Sequence, residues 1–220
     1  MSARIALILQ ILVLASCGTQ APSPEPTPVP ELSVSIPQSL AWTEPVALNC
    51  AASVNLILTT NPNNTTSELV LLSLQTEKSN DTGLYQLLTG NIIAVTSKQT
   101  TVTVSNIDEL NAALKDPGDI YKIAIPPGSF AAALEQKLGI KLSGDSLLIP
   151  DETAMIFFLE ANPNGIGFLP DFMVATNLTP LLINSAPLPV LPIALVAETR
   201  NQPSPKVQNW LVCMQKSLER

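Results

Sequence analysis

Apolar residues recur along this chain in short runs, and the spacing within each run predicts its element. "ELSVSI" alternates apolar and polar positions, the period of a strand. Leu40, Val46, Ala47 and Cys50 return at helical spacing and predict a helix over 40–52. "NLILTT" and "ELVLLSL" read as two further strands, "GLYQLLTG" as a short helix or turn closed by Gly90, and "NIIAVTS" as a strand. In "NIDELNAALKD", Ile107, Leu110, Ala113 and Leu114 share one helical face. Ser105 or Asn106 caps that helix, with Asp108 and Glu109 at its positive end. "YKIAI" is a strand, Pro126-Pro127-Gly128-Ser129 a turn, and an Ala-rich helix follows until Gly139 stops it. Asp151 caps the next helix, whose inward stripe is Met155, Phe158 and Leu159. "NPNGIGFLP" turns into a strand, and "TPLLIN" and "LPIALVAE" are two more. In the last helix Ser204 caps, Pro205 takes the first position, and Val207, Trp210, Leu211, Met214 and Leu218 line one side.

Strands alternating with helices define an α/β architecture with largely parallel pairing. Runs such as Ile123-Ala124-Ile125 fit strands buried on both faces. Ligands of such sheets sit beyond the carboxyl ends of the strands.

The first residues follow a different logic. A basic start at Arg4, the apolar run "IALILQILV" and small residues after it make a secretory signal, too short to span a membrane. Its end, "LASC", resembles the bacterial lipobox, which implies a signal over 1–17 and a lipid on Cys17. Residues 18–31 then carry prolines at every second position from Pro22 to Pro30, an extended spacer reaching about 30–40 Å. The expectation is a domain tethered by lipid to the extracytoplasmic face of a bacterial membrane. Stable attachment needs more than one acyl chain, as a diacylated Cys would supply.

Charge narrows the partners. The 220 residues carry 11 basic and 18 acidic side chains, with no basic cluster. This excludes nucleic acid and charge-driven binding to anionic lipid as expected partners. No histidine is present, so a Ser or Cys nucleophile would lack an imidazole base, and the carboxylates are scattered singly. Neither an enzyme nor a metal or cofactor site is expected. Besides Cys17 there are Cys50 and Cys213, which either form a disulfide or pack as two buried thiols.

From about residue 91 the succession "NIIAVTS", "TVSNIDELNAAL", "YKIAIPPGSFAAALEQKLGI", "NPNGIGFLP" and "LPIALVAETRNQPSPKVQNWL" resembles bacterial extracytoplasmic substrate-binding proteins. The group is the type 2 periplasmic-binding fold, near its phosphate- and molybdate-binding branches. The resemblance implies two α/β lobes with mostly parallel sheets, joined by crossing hinge strands, that clamp a ligand. Lobe 1 would comprise 32–98 and 188–220, and lobe 2 would comprise 99–187. Both Cys50 and Cys213 then fall in lobe 1, which favours their pairing. Only "NPNNTTS" separates the strands "NLILTT" and "ELVLLSL", where relatives place a further helix, so lobe 1 is expected to be shortened.

In that group oxyanions are held at helix N-termini by backbone N–H and hydroxyl groups, often without a counter-charge. The matching positions here are Gly128, Ser129 and Phe130, then Ser39 after the first strand and Thr153 in the first turn of a later helix. Each also has a plainer role: Ser129 as a cap, Pro126-Pro127-Gly128 as a turn, Ser39 and Thr153 as surface hydroxyls. Asp151 and Glu152 would repel an anion unless they face away. The expected function is a lipid-anchored solute-binding protein that delivers a small ligand, an oxyanion, to an ABC-type permease. The alternative is the same fold serving as a non-transport surface module.

Overall fold

A computed structural model describes residues 29–60, 68–76, 83–125, 130–183 and 185–219. The signal with Cys17, most of the spacer, the "NPNNTTS" connection, Gly128 and Ser129 lie outside the described residues. The first elements are β1 (Glu31–Ser35), a 3-10 helix (Gln38–Thr43) running into α1 (Glu44–Ser53), β2 (Ile57–Thr59), β3 (Glu68–Gln75) and β4 (Leu84–Ser97). Then come α2 (Ile107–Lys115), β5 (Lys122–Ile125), α3 (Phe130–Leu138), β6 (Leu147–Leu148) and α4 (Glu152–Ala161). The chain continues through β7 (Gly165–Pro170), a 3-10 turn (Asp171–Met173), β8 (Leu178–Pro180), β9 (Leu182–Ile183) and β10 (Ala186–Pro187). It closes with β11 (Pro189–Thr199) and α5 (Pro205–Leu218).

The main sheet has the order β2-β1-β3-β11-β4-β7-β5-β6, with β8 alongside the end of β4. Pairing is parallel toward both ends: β1 with β2 and β3, and β5 with β6 and β7. Between them β4 and β11 run antiparallel to their neighbours. The first part of β4 pairs with β11, while Ile92 to Val95 pairs with β7. β4 therefore passes from one lobe to the other, and β11 returns beside it. The molecule is a two-lobed α/β protein with crossing strands.

One local expectation fails. Residues 84–90, read as a short helix or turn, form the first half of β4. Gly90 does not end an element there; the strand continues through it, and the absent side chain leaves room for Asp171. The period-2 signal was masked by Leu87-Leu88, of which only Leu87 is fully buried, at 1% exposed.

Each lobe has its own packing. In lobe 1, Ala47 and Cys50 of α1 and Val207, Trp210 and Met214 of α5 cover Leu32, Val34, Val70 and Leu195 of the sheet. Trp210 Nε1 donates to the Ala47 carbonyl at 3.0 Å, and the Sγ atoms of Cys50 and Cys213 lie 2.06 Å apart, bonded as a disulfide. In lobe 2 the sheet is buried on both faces. Ile123 and Ile125 of β5 join Leu110, Leu114 and Leu134 on one side, and Ala124 joins Met155 and Leu159 of α4 on the other. Alternation along a strand does this directly, because successive side chains point to opposite faces.

Helix starts follow the polar signals. Asn106 Oδ1 accepts from the Glu109 N–H at 2.9 Å, and Glu109 Oε2 accepts from the Ser105 N–H at 2.8 Å, a reciprocal cap on α2. Pro45 near the start of α1 explains why the 40–52 segment divides, since Pro is favoured only in a helix's first turn.

Candidate functional site

The strand β1 ends at Ser35, and after Pro37 the chain turns into the 3-10 helix that carries Gln38, Ser39 and Trp42. On the other lobe Asp151 opens α4: its Oδ1 accepts from the Ala154 N–H at 2.8 Å. These two helix starts face each other. Gln38 Nε2 donates to Asp151 Oδ2 at 3.4 Å, so one carboxylate caps α4 and touches the opposite lobe. A cavity of about 450 Å³ lies between them, lined by Gln38, Ser39, Ala41, Trp42, Asp151, Thr153, Ala154 and Phe157.

The lining is mixed in character. Ser39 is half-buried and Thr153 exposed, Phe157 is 66% exposed, and Asp151 is the one ionised group among the described lining residues. The Trp42 indole nitrogen is closed off from solvent and has no hydrogen-bond partner among the described residues. Its ring lies 6.1 Å from that of Phe172, at an interplanar angle of 45°, a second contact between the lobes. Behind Phe172, Asp171 Oδ2 accepts from the Asn91 N–H of β4 at 3.1 Å. The hinge strand and the cavity wall are thus linked through the turn that follows β7.

Of the residues nominated from sequence, Ser39 and Thr153 line one cavity. Phe130 heads α3, but its side chain is 8% exposed and packs in the lobe 2 core, away from the lining of this cavity. Gly128 and Ser129 lie outside the described residues. Gln38, Trp42 and Phe157 were not nominated. Trp42 carried a usable signal, being a large aromatic three positions beyond Ser39 in the same short helix.

No family model matches the chain, and no curated protein matches it in sequence. Solved structures do match in fold. A putative phosphate ABC transporter substrate-binding protein from Clostridium perfringens, with bound phosphate, superposes with a TM-score of 0.63 at 10% identity, over 84% of this chain and 92% of its own. An ABC-type phosphate transport receptor from Vibrio cholerae gives 0.55 at 11% identity, over 86% and 96%. The regulatory domain of HypT from Salmonella typhimurium, bromide ion-bound, gives 0.56 at 9% identity, over 90% and 99%. The fold is therefore that of the type 2 periplasmic-binding proteins. These structures are receptors and regulatory domains rather than enzymes, and at such identity they establish the fold alone.

Proposed function

We propose that this chain is a lipid-anchored solute-binding protein, held at Cys17 on the extracytoplasmic face of a bacterial membrane, that takes a small ligand between its lobes and delivers it to an ABC-type permease. One observation carries the proposal: a cavity of about 450 Å³ walled by both lobes, with crossing strands behind it. Such a cavity changes shape when two lobes rotate about a hinge, which is how closure couples to occupancy. The "LASC" segment and the Pro-rich spacer support the anchoring. The oxyanion class rests on Ser39 and Thr153, on the helix starts around them, and on the phosphate receptors that share the fold. Gly128, Ser129 and the Phe130 N–H complete the proposed set.

Calorimetric titration of the intact protein in detergent with phosphate, sulfate, molybdate and tungstate tests this. Saturable heat with one of them is expected, and no heat with any removes the oxyanion form.

A second reading has its own support. The Asp151 carboxylate already occupies the α4 N-terminus that an anion would use, and its charge opposes one. On that reading the fold is retained without transport, as a surface interaction module. Permease and ATPase genes adjacent to this one would favour import, and their absence the module.

A further inference from the structure

Lobe 2 carries another cavity, at the end of its sheet remote from the cleft. β4 runs beside β7 from Ile92, opposite Pro170, and ends at Ser97, two positions past the pairing of Val95 with Gly167. Ser97 is therefore level with Gly165, where β7 begins. α4 has 10 residues, about 15 Å of helix, with Asp151 at the cleft and Glu160 in its last turn on this far side. A cavity of about 410 Å³ is lined here by Ser97, Lys98, Gln99, Glu160 and Asn177. That lies within the usual range of small-molecule sites, about 300–1,000 Å³.

Two features of this cavity ask for a ligand, above a wall that includes the buried Ser97, 4% exposed. Lys98 and Glu160 present opposite charges to the same space, yet among the described residues no ion pair joins them. Glu160 also stands at the negative end of α4, whose last turn holds no basic residue. The Asn177 amide donates to it at 3.3 Å, a neutral partner that leaves its charge uncompensated.

A lone anion would meet Glu160, and a lone cation would meet Lys98. A metal ion would find a single carboxylate. A molecule carrying both charges satisfies both ends. We infer that this cavity binds a small zwitterion of the amino-acid class, its carboxylate at Lys98 and its ammonium group at Glu160 and the end of α4. Nothing in this site requires the cleft to be occupied.

The test is an amide NMR titration of the intact protein in detergent with glycine, β-alanine, γ-aminobutyrate and ε-aminocaproate, since the span between the charges selects among chain lengths. Acetate and methylamine serve as single-charge controls. At least one of the four is expected to shift Ser97, Gln99 and Asn177 saturably, with a Kd about tenfold or more below either control. K98Q and E160Q, both at exposed positions, are each expected to weaken it about tenfold or more while the remaining spectrum stays folded. The Ser39 and Trp42 resonances in the cleft should not move. The assignment is overturned if none of the four produces saturable shifts at these residues, if the controls bind equally well, or if both substitutions leave binding unchanged.

Discussion

Gln38 and Asp151 stand 113 positions apart in the chain and meet across the cleft, the amide donating to Oδ2 at 3.4 Å while Oδ1 caps α4. The capping role and the charge of Asp151 can be separated by substitution. Asn caps about as well as Asp, whereas Ala loses the cap at a cost of about 1 kcal/mol. D151N is therefore expected to keep the urea-unfolding free energy of the parent, and D151A to lose about 1 kcal/mol. With the repelling charge gone, D151N should bind phosphate more tightly in calorimetry. A D151N protein that binds phosphate no better than the parent counts against an oxyanion in this cavity.

The disulfide between Cys50 and Cys213 ties α1 to α5 and closes a loop of 163 positions. Its stabilisation comes mainly from restricting the unfolded chain, typically about 2–5 kcal/mol. The same two helices are already joined by the Trp210 hydrogen bond to Ala47 and by the buried side chains around it. Reduction, or the C50A/C213A pair, is thus expected to lower the unfolding free energy by about 2–5 kcal/mol and keep the native circular dichroism. A loss below about 0.5 kcal/mol would deny the bond a structural role.

What could be read in advance was whatever is encoded locally. Asn106, Asp151 and Ser204 announce helix starts because the capping side chain and its N–H lie three residues apart. Ile123, Ala124 and Ile125 announce a two-faced strand by period alone. Residues 84–90 did not announce β4, because Gly90 is explained by Asp171, distant in sequence, and the pairing partner of this stretch is β11. Ser39 and Thr153 follow from the resemblance and share one cavity. Gln38 and Trp42 flank Ser39 on one short helix and Phe157 lies a turn beyond Thr153 on another, but the two sets face each other only when two lobes are brought together. No local period records that.

Glu109 offers a pH-dependent check on the α2 cap. The Ser105 main-chain N–H first, and the Asn106 side chain second, hold its carboxyl below the usual carboxylate range. A folded-state value below the unfolded one stabilises the protein fully above the unfolded value, and the gain is lost as pH falls through the folded value. E109Q is expected to melt at a lower temperature than the parent near neutral pH. The gap should close in acid, once Glu109 itself is protonated in the folded state. A gap that stays constant with pH would assign the effect to packing rather than charge.

Gly90 tests the connection between hinge and cleft. A Cβ on it would overlap the Asp171 carboxylate and come within 2.8 Å of the Phe172 ring. The turn carrying both residues is fastened to β4 by the Asn91 N–H and leans on Trp42 of the opposite lobe. The added methyl of G90A therefore has to push this turn off the crossing strand. A loss of about 1–3 kcal/mol is expected, as for other overpacked sites, with a shift of the Trp42 indole N–H resonance. Trimming the obstacle in G90A/D171G should return part of that loss, because residues in contact are coupled by about 0.5–3 kcal/mol. Additive effects in the double-mutant cycle would show that the turn is not seated on the strand, and the route from hinge to cavity wall would then be lost.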